Sequence, residues 1–387
     1  MRVLVLHNRY QIPGGEDVVA QSEKTLLEDN GHSVAWLEVS NDDITGLWSQ
    51  IKTAANTIYS YSSKQRVSEI IASFKPDIVH VHNFFPLLSP AVYDACYEAG
   101  VPVVQTLHNY RLLCANAEFF RDGGVCEDCL GKVIPWPGVV HSCYRGNRAA
   151  TAAVTAMLTL HRARGTWRDR VNLYITLTDF ARQKFIAGGL PGSKIVVKPN
   201  FLHPDPGFGT GAGGYALFVG RLSQEKGLDT LIAAWKHLDG KIPLKIVGDG
   251  PQTLQVAEAA QKVPGVELLG RLSKNEVLAL MKEALILIFP SLWYEGFPMT
   301  IVEAYAVGVP VIASQIGSLS ALIHPSRTGI HFRPGDSEDL AAKVEWALAH
   351  PAELTQMRRD TRVEFEAKYT AEANYQQLME IYQKATE

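Results

Sequence analysis

Short, continuous apolar runs rich in β-branched residues alternate with helix-period stretches along the first half of the chain, each run bounded by loop residues. That pattern predicts parallel strands buried on both faces, with helices packed against them. Val3–Leu6, Asp77–Val81, Pro102–Leu107 and Leu173–Leu177 are the expected strands. Between the first two, Glu16–Asn30 carries apolar residues at helical spacing and stops at Gly31. The pattern restarts near residue 215. Ala216–Val219, Leu244–Val247, Leu285–Phe289 and Pro310–Ala313 read as a second set of buried strands, each followed by a loop and a helical stretch. No short-period repeat underlies the alternation.

The two sets are separated by a Pro-rich segment, 199–206, and a Gly-dense one, 207–214. The chain therefore divides into an N-terminal α/β domain over 1–200 and a second over 201–368. A helix over 369–387 is left to pack back on one of the halves. Within the linker, Gly209-Thr210-Gly211-Ala212-Gly213-Gly214 matches the G-x-G-x-x-G spacing of dinucleotide sites. That motif works only between a strand and a helix N-terminus, whereas here a Pro-rich stretch precedes it and a strand follows, so it reads as linker.

Composition adds exclusions. A length of 387 residues suits two or three domains with ample cores, and 37 Lys+Arg against 40 Asp+Glu, a net charge of −3, argues against nucleic acid as a partner. No apolar run approaches the ~18 residues of a membrane span, and the run from Val3 is too short for a signal peptide. The expected location is the cytoplasm.

In open parallel sheets, ligands bind where strand C-termini lead into loops and helices. After the first strand, Asn8–Pro13 leads to Gly14-Gly15-Glu16 at a helix start, where backbone amides and the helix dipole favour an anion. After Ala216–Val219 comes Gly220-Arg221-Leu222-Ser223-Gln224-Glu225-Lys226-Gly227, whose two cations suit a pyrophosphate or, equally, a solvated surface. After Leu285–Phe289, the loop reaches Glu295-Gly296-Phe297-Pro298, and a helix follows carrying Glu303. Both carboxylates suit sugar hydroxyls, and Glu303 sits among apolar neighbours where a charge needs a partner.

These residues resemble the retaining glycosyltransferases of family four, which have the GT-B fold: α/β, with two Rossmann-like α/β/α domains facing each other across a cleft. The family's hallmark of two glutamates separated by seven residues stands here at Glu295 and Glu303. The loops 220–227, Gly14-Gly15-Glu16, Val247-Gly248-Asp249-Gly250-Pro251 and Thr106-Leu107-His108 match in order as well. The resemblance implies transfer of a sugar from a UDP- or GDP-sugar to a sugar, glycolipid or small-molecule acceptor. It assigns Arg221 and Lys226 to the donor diphosphate, with the amides of Gly14 and Gly15 toward the same phosphates. Glu303 would take the ribose hydroxyls. Glu295, with Gly296, Phe297 and Pro298, would hold the transferred sugar, while Gly220 and Gly248 border the nucleotide and Arg271 and Leu272 lie beside the base. His108 would approach the sugar; His80 and His82 are left as structural or acceptor-side residues. Front-face attack is the usual proposal, with Glu295 as a covalent nucleophile its rival. No D-x-D motif is present, so no catalytic metal is expected.

Four of the five cysteines, Cys114, Cys126, Cys129 and Cys143, crowd a loop-rich insertion over 114–143. In a reducing compartment they read as four ligands of one structural zinc, with free thiols as the alternative. Cys96 reads as a buried helix residue. After the cysteines, Arg145, Arg148, Arg162, Arg164, Arg168 and Arg170 accompany Trp167, with Asp169 the only carboxylate nearby in sequence. They form either a solvated helix face or a surface for anionic lipid, consistent with peripheral contact at the inner membrane surface.

Other classes remain in view: an epimerase or phosphorylase on the same architecture, or a non-catalytic nucleotide-sugar-binding protein. Walker-type hydrolysis is disfavoured because neither Gly131-Lys132 nor Gly240-Lys241 has the required upstream glycine.

Overall fold

The computed structural model describes residues 1–10, 14–41 and 53–387. Part of the expected loop Asn8–Pro13 lies outside them. The chain forms two compact units: Met1–Phe119, Cys126–Asn200 and Asn374–Glu387 make the first, and Phe120–Val125 with Phe201–Ala373 the second.

The first unit holds a six-stranded parallel sheet in the order β2-β1-β3-β4-β7-β8. Its strands are β1 (Arg2–Arg9), β2 (Ser33–Ser40), β3 (Ile78–Val81), β4 (Val103–Leu107), β7 (Leu173–Thr176) and β8 (Ile195–Val197). The expected strands are all present, with ends shifted by a residue or more; β4 begins after Pro102, which has no N–H for the ladder. The helix after β1 spans Gly15–Asp29, is capped at Asn30 and ends at Gly31, whose φ of +78° is the left-handed turn that glycine permits. Val3, Val5, Ile78, Val104 and Ile175 pack in one cluster with Leu378, Ile381 and Tyr382, so the C-terminal helix completes this core.

The second unit repeats the plan in the order β11-β10-β9-β12-β13-β14, again all parallel. These strands are β9 (Ala216–Val219), β10 (Leu244–Val247), β11 (Val266–Gly270), β12 (Ile286–Phe289), β13 (Val311–Ser314) and β14 (Gly329–Phe332). Trp235, Leu231, Ile246, Ile288 and Val344 centre its core. A two-residue hairpin, β5 (Phe120–Arg121) with β6 (Gly124–Val125), lies within the cysteine-bearing segment.

The Gly-dense linker behaves as the pattern predicts. The amides of Gly209, Gly211 and Gly213 donate to the carbonyls of Val307, Lys282 and Glu283, so they are not presented to a phosphate. Among the described residues no helix is long and apolar enough to cross a membrane.

Candidate active site

In each sheet the strand order reverses once, between β1 and β3 in the first and between β9 and β12 in the second. Loops leaving the two strands at such a point diverge to opposite faces and open a crevice, where ligands of parallel sheets bind.

In the second unit, the loop leaving β9 carries Gly220, Arg221 and Lys226, and the loop leaving β12 carries Ser291, Glu295, Gly296, Phe297 and Pro298. The two loops are tied together: Lys226 Nζ lies 2.8 Å from Glu295 Oε1, and Ser291 Oγ donates to the same oxygen at 2.6 Å. Lys226 also sits 5.2 Å from the ring centre of Trp293, whose buried indole N–H has no partner among the described residues. Gly227 makes this approach possible. At its φ of +72° a side chain is strained, and a Cβ there would stand 1.9 Å from the Pro290 carbonyl oxygen. Gly248, at φ +142°, follows β10, where a Cβ would meet the Gly220 carbonyl oxygen at 1.9 Å, so only glycine lets the loops after β9 and β10 approach this closely.

Arg221 is exposed and makes no ion pair among the described residues, so its charge is available. Glu303 lies on the helix Met299–Ala306 with its neighbours Ile301, Val302, Ala304 and Tyr305 buried. Its carboxylate makes no hydrogen bond among the described residues; burial raises its pKa and Lys274 opposes the rise. Among the described residues this embedded charge has no hydrogen-bonded or ion-paired partner, leaving an acceptor pair open to hydroxyl donors. Arg271 and Leu272 follow β11, and Arg271 sits 3.9 Å from Asp249 with both side chains exposed.

In the first unit, the loops after β1, β3 and β4 bring together residues the sequence reading only partly anticipated. His108 Nε2 lies 3.0 Å from His82 Nδ1. Gly14 caps the helix after β1, but its amide donates to Asp17 Oδ2 at 2.6 Å while the other Asp17 oxygen meets His7 Nε2 at 2.8 Å. The helix N-terminus expected to receive phosphate thus already holds a carboxylate, and of the two glycines Gly15 is the one whose amide is not so engaged. Glu16 accepts from Asn83 Nδ2 at 2.9 Å and Asn109 Nδ2 at 3.1 Å. Burial, with Asp17 adding to it, pushes its carboxyl up to about 8. Neither asparagine was anticipated. Both follow a histidine at a strand end, which in retrospect is the signal.

Glu23 and Lys198 were also missed. Glu23 occupies the apolar stripe Val19, Ala20, Leu26 and Leu27 of its helix, and a charge there should have stood out. It is 2% exposed and pairs with Lys198, itself 1% exposed.

One expectation needs correction, and a second is not met by a preformed site. The arginines after the cysteines do not form one free cationic helix: Trp167 is buried, Arg164 and Arg170 both reach Asp94, and Arg162 donates to the carbonyls of Lys132, Val133 and Leu112. Asp94, remote in sequence, supplies the carboxylate that the local reading lacked. The four cysteines approach one another, and burial pushes the Cys129 thiol up to about 11, with Cys114, Cys143 and Cys126 adding to the rise. Yet no three of their sulfurs lie within 4.8 Å of one another, so a preformed tetrahedral thiolate site is not present. Cys96 is fully buried on Ala91–Glu98, as expected, and burial pushes its thiol up to about 12.

Two family models match consecutive parts of the chain: "Glycosyltransferase Family 4" over residues 14–205 and "Glycosyl transferases group 1" over residues 211–364. Glycogen synthase of Mycobacterium tuberculosis is 32% identical over 298 residues, covering 75% of this chain and 64% of that protein. An uncharacterized glycosyltransferase of Methanocaldococcus jannaschii, MJ1178, is 31% identical over 175 residues, 45% of this chain and 49% of that protein. The chain thus spans about half to two thirds of the length of these relatives. Among solved structures, Anabaena Alr3699/HepE in complex with UDP-glucose superposes with a TM-score of 0.68 at 17% identity, covering 98% of both chains. Sucrose-phosphate synthase from Thermosynechococcus elongatus gives 0.71 at 15% identity, covering 99% of this chain and 98% of that one. These two share the fold.

Proposed function

We infer from the two family models that the chain is a group 1, family-four glycosyltransferase, and we propose that it transfers a sugar from a nucleotide-diphosphate donor to an acceptor hydroxyl with retention of configuration. The observation that carries the reading is the second unit's switch point, where Lys226 is held against Glu295, Arg221 is unpaired and the Glu303 carboxylate is open. Arg221 and Lys226 bind the diphosphate, and Glu303 accepts the ribose hydroxyls. Glu295, with Gly296, Phe297 and Pro298, holds the transferred sugar. In the reaction the bond from the anomeric carbon to the diphosphate breaks, its electron pair going to the leaving phosphate oxygen. The acceptor oxygen bonds to the same face of that carbon, and its proton passes to the departing phosphate. Cations fixed beforehand at the leaving group are the largest expected contribution to rate. The carboxylate of Glu295, tied to Lys226 and Ser291 through one oxygen, is better arranged to hold sugar hydroxyls than to attack carbon.

Uridine diphosphate sugars are the first donors to try, because HepE, of the same fold, is solved with UDP-glucose. On the acceptor side, the first unit has a cavity of about 380 Å³ lined by Phe85, Pro86, Tyr144, Arg145 and Val154. Near it in sequence, Val133, Ile134, Trp136 and Val140 are at least half exposed. Arg148 bonds to the carbonyls of Val139 and Val140, and no Asp or Glu occurs between 129 and 168. This apolar, cationic surface supports a glycolipid acceptor met at the cytoplasmic face of an anionic membrane. A zinc ion drawn to Cys114, Cys126, Cys129 and Cys143 would be a staple for a segment whose only strands are two residues long.

The test is a thermal-shift panel of UDP- and GDP-sugars, followed by transfer from the stabilising donor and analysis of the product's anomeric configuration. Stabilisation by one nucleotide family and a retained product support the reading. Donor binding without transfer to any glycolipid or sugar acceptor would favour a non-catalytic binding protein.

A further inference from the structure

Behind His108 lies a closed set of polar groups for which the transfer reaction has so far supplied no role. Lys198 Nζ donates to Glu23 Oε1, and at 3.2 Å to Asn374 Oδ1. The other oxygen of Glu23 lies 3.3 Å from His82 Nε2 and 3.8 Å from His80 Nδ1, and neither it nor His82 Nε2 has another hydrogen-bond partner among the described residues. His82 Nδ1 then meets His108 Nε2 at 3.0 Å. His80 is no competitor, since its two nitrogens face the hydroxyls of Tyr382 and Thr106, each at 2.8 Å.

Glu23, His80 and His82 bring three ligand atoms within 4.8 Å of one another, a spacing that by itself suits a metal ion. Lys198 argues against one. An ammonium already neutralises the carboxylate, and both nitrogens of His80 face hydroxyls.

Proton counting along the chain leads to one arrangement. Burial alone would raise the Glu23 carboxyl, but Lys198 and His82 outweigh it and hold the group well below the ordinary range, so Glu23 is ionised and accepts only. Burial lowers His82 and His108, with neighbouring imidazoles and Lys198 adding to the drop and Glu23 opposing it without reversing it, so both are neutral near pH 7. A neutral imidazole has one N–H. His82 must place it on Nε2, facing Glu23, because the carboxylate offers no proton. Its Nδ1 is then an acceptor, which obliges His108 to place its proton on Nε2.

We propose that Glu23 and Lys198, acting through His82, fix the tautomer of His108, so that its Nδ1 is left a bare acceptor for a hydroxyl of the transferred sugar. The proposal rests on the reading that His108 contacts that sugar. Glu23, Lys198 and His82 are positioning residues: they select a hydroxyl that donates and exclude a ligand oxygen that needs a proton. Groups facing the pair from the surrounding elements are His7 on β1, Asp17 on the helix that follows it, His80 on β3, Lys198 after β8 and Tyr382 on the C-terminal helix.

Nitrogen-15 NMR of histidine-labelled protein reads the tautomers directly, with His108 assigned by comparison with His108→Asn. The wild-type protein is expected to show His108 protonated on Nε2 and bare on Nδ1 across pH 6.5–8.5 (an interval of about two units). A proton on Nδ1 would overturn the proposal without need of any variant. In Glu23→Gln, Lys198 holds the amide oxygen and the amide N–H₂ turns to His82 Nε2, so both imidazoles invert and His108 becomes an Nδ1–H donor. Unchanged tautomers in a folded Glu23→Gln would also overturn it. The double variant Glu23→Gln/Lys198→Met removes both buried charges and frees the amide to present its oxygen to His82; it is expected to restore the wild-type tautomer. Donor turnover should follow the tautomer, falling about tenfold or more in Glu23→Gln and recovering in the double variant, with donor KM within about threefold throughout. If the tautomers behave as stated while His108→Ala transfers at the wild-type rate, the sugar-facing role of His108 fails and the proton arrangement stands.

Discussion

Lys226 and Glu295 offer a measurable coupling, and its response to nucleotide separates a structural pair from a catalytic one. At 2.8 Å, with effective dielectric near 20, two unit charges attract by roughly 6 kcal/mol before desolvation is counted. The side chains retain 18% and 7% of their exposure, so both have given up most of their hydration. A hydrogen-bonded charge pair in such a setting nets about 1.5–3 kcal/mol. A double-mutant cycle of Lys226→Met and Glu295→Gln is therefore expected to give a coupling of about 2 kcal/mol, from urea unfolding of the four proteins fitted with a transition for each unit. Saturating UDP should reduce that value to below about 1 kcal/mol, because the diphosphate competes with Glu295 for Lys226. A coupling under about 0.5 kcal/mol without nucleotide, as for an exposed pair, would refute the geometry. A coupling unmoved by UDP would remove Lys226 from the diphosphate site.

The remaining predictions concern Glu16, Glu303 and the cysteines. The Glu16 carboxyl is raised to about 8, so the stability it contributes is complete below the ordinary value of 4.5 and is lost as pH rises through 8. The melting temperature should fall more steeply between pH 5 and 9 (roughly the span of the shift) for the wild type than for Glu16→Gln; parallel curves would show that Glu16 ionises freely. Glu303→Ala should weaken donor binding by about tenfold through loss of a charged acceptor for ribose hydroxyls, and unchanged affinity by calorimetry would take Glu303 out of that role. Elemental analysis of purified protein should find about one zinc per chain, and less than about half an equivalent counts against the metal.

The central strands were legible because they are buried on both faces and read as uninterrupted apolar runs. β2, β8, β11 and β14 escaped the same reading for a physical reason: they are sheet edges, where β2, β11 and β14 mix polar with apolar positions and β8 is only three residues long, between Lys194 and Lys198. The placing of the second unit's switch-point residues was legible because strand, loop and helix follow one another within a few residues, so Arg221, Lys226, Glu295 and Glu303 take their places from local order alone. The first unit's polar cluster was not. Glu23 and Lys198 are 175 positions apart and meet only because α/β winding brings β8 and the first helix together. Asp94 and Arg170, 76 apart, escaped for the same reason and made an ordinary internal ion pair look like a free basic surface. The cysteine spacing was legible, but spacing alone did not determine how closely the sulfurs approach.

The central claim is that Lys226 acts on the departing diphosphate. It is tested most directly by steady-state kinetics of Lys226→Ala with the donor that stabilises the wild-type protein. The account predicts a fall in kcat of about a hundredfold or more, with donor KM changed by only a few fold, because the charge on the leaving group grows only as the glycosidic bond breaks. A variant with wild-type kcat would contradict it.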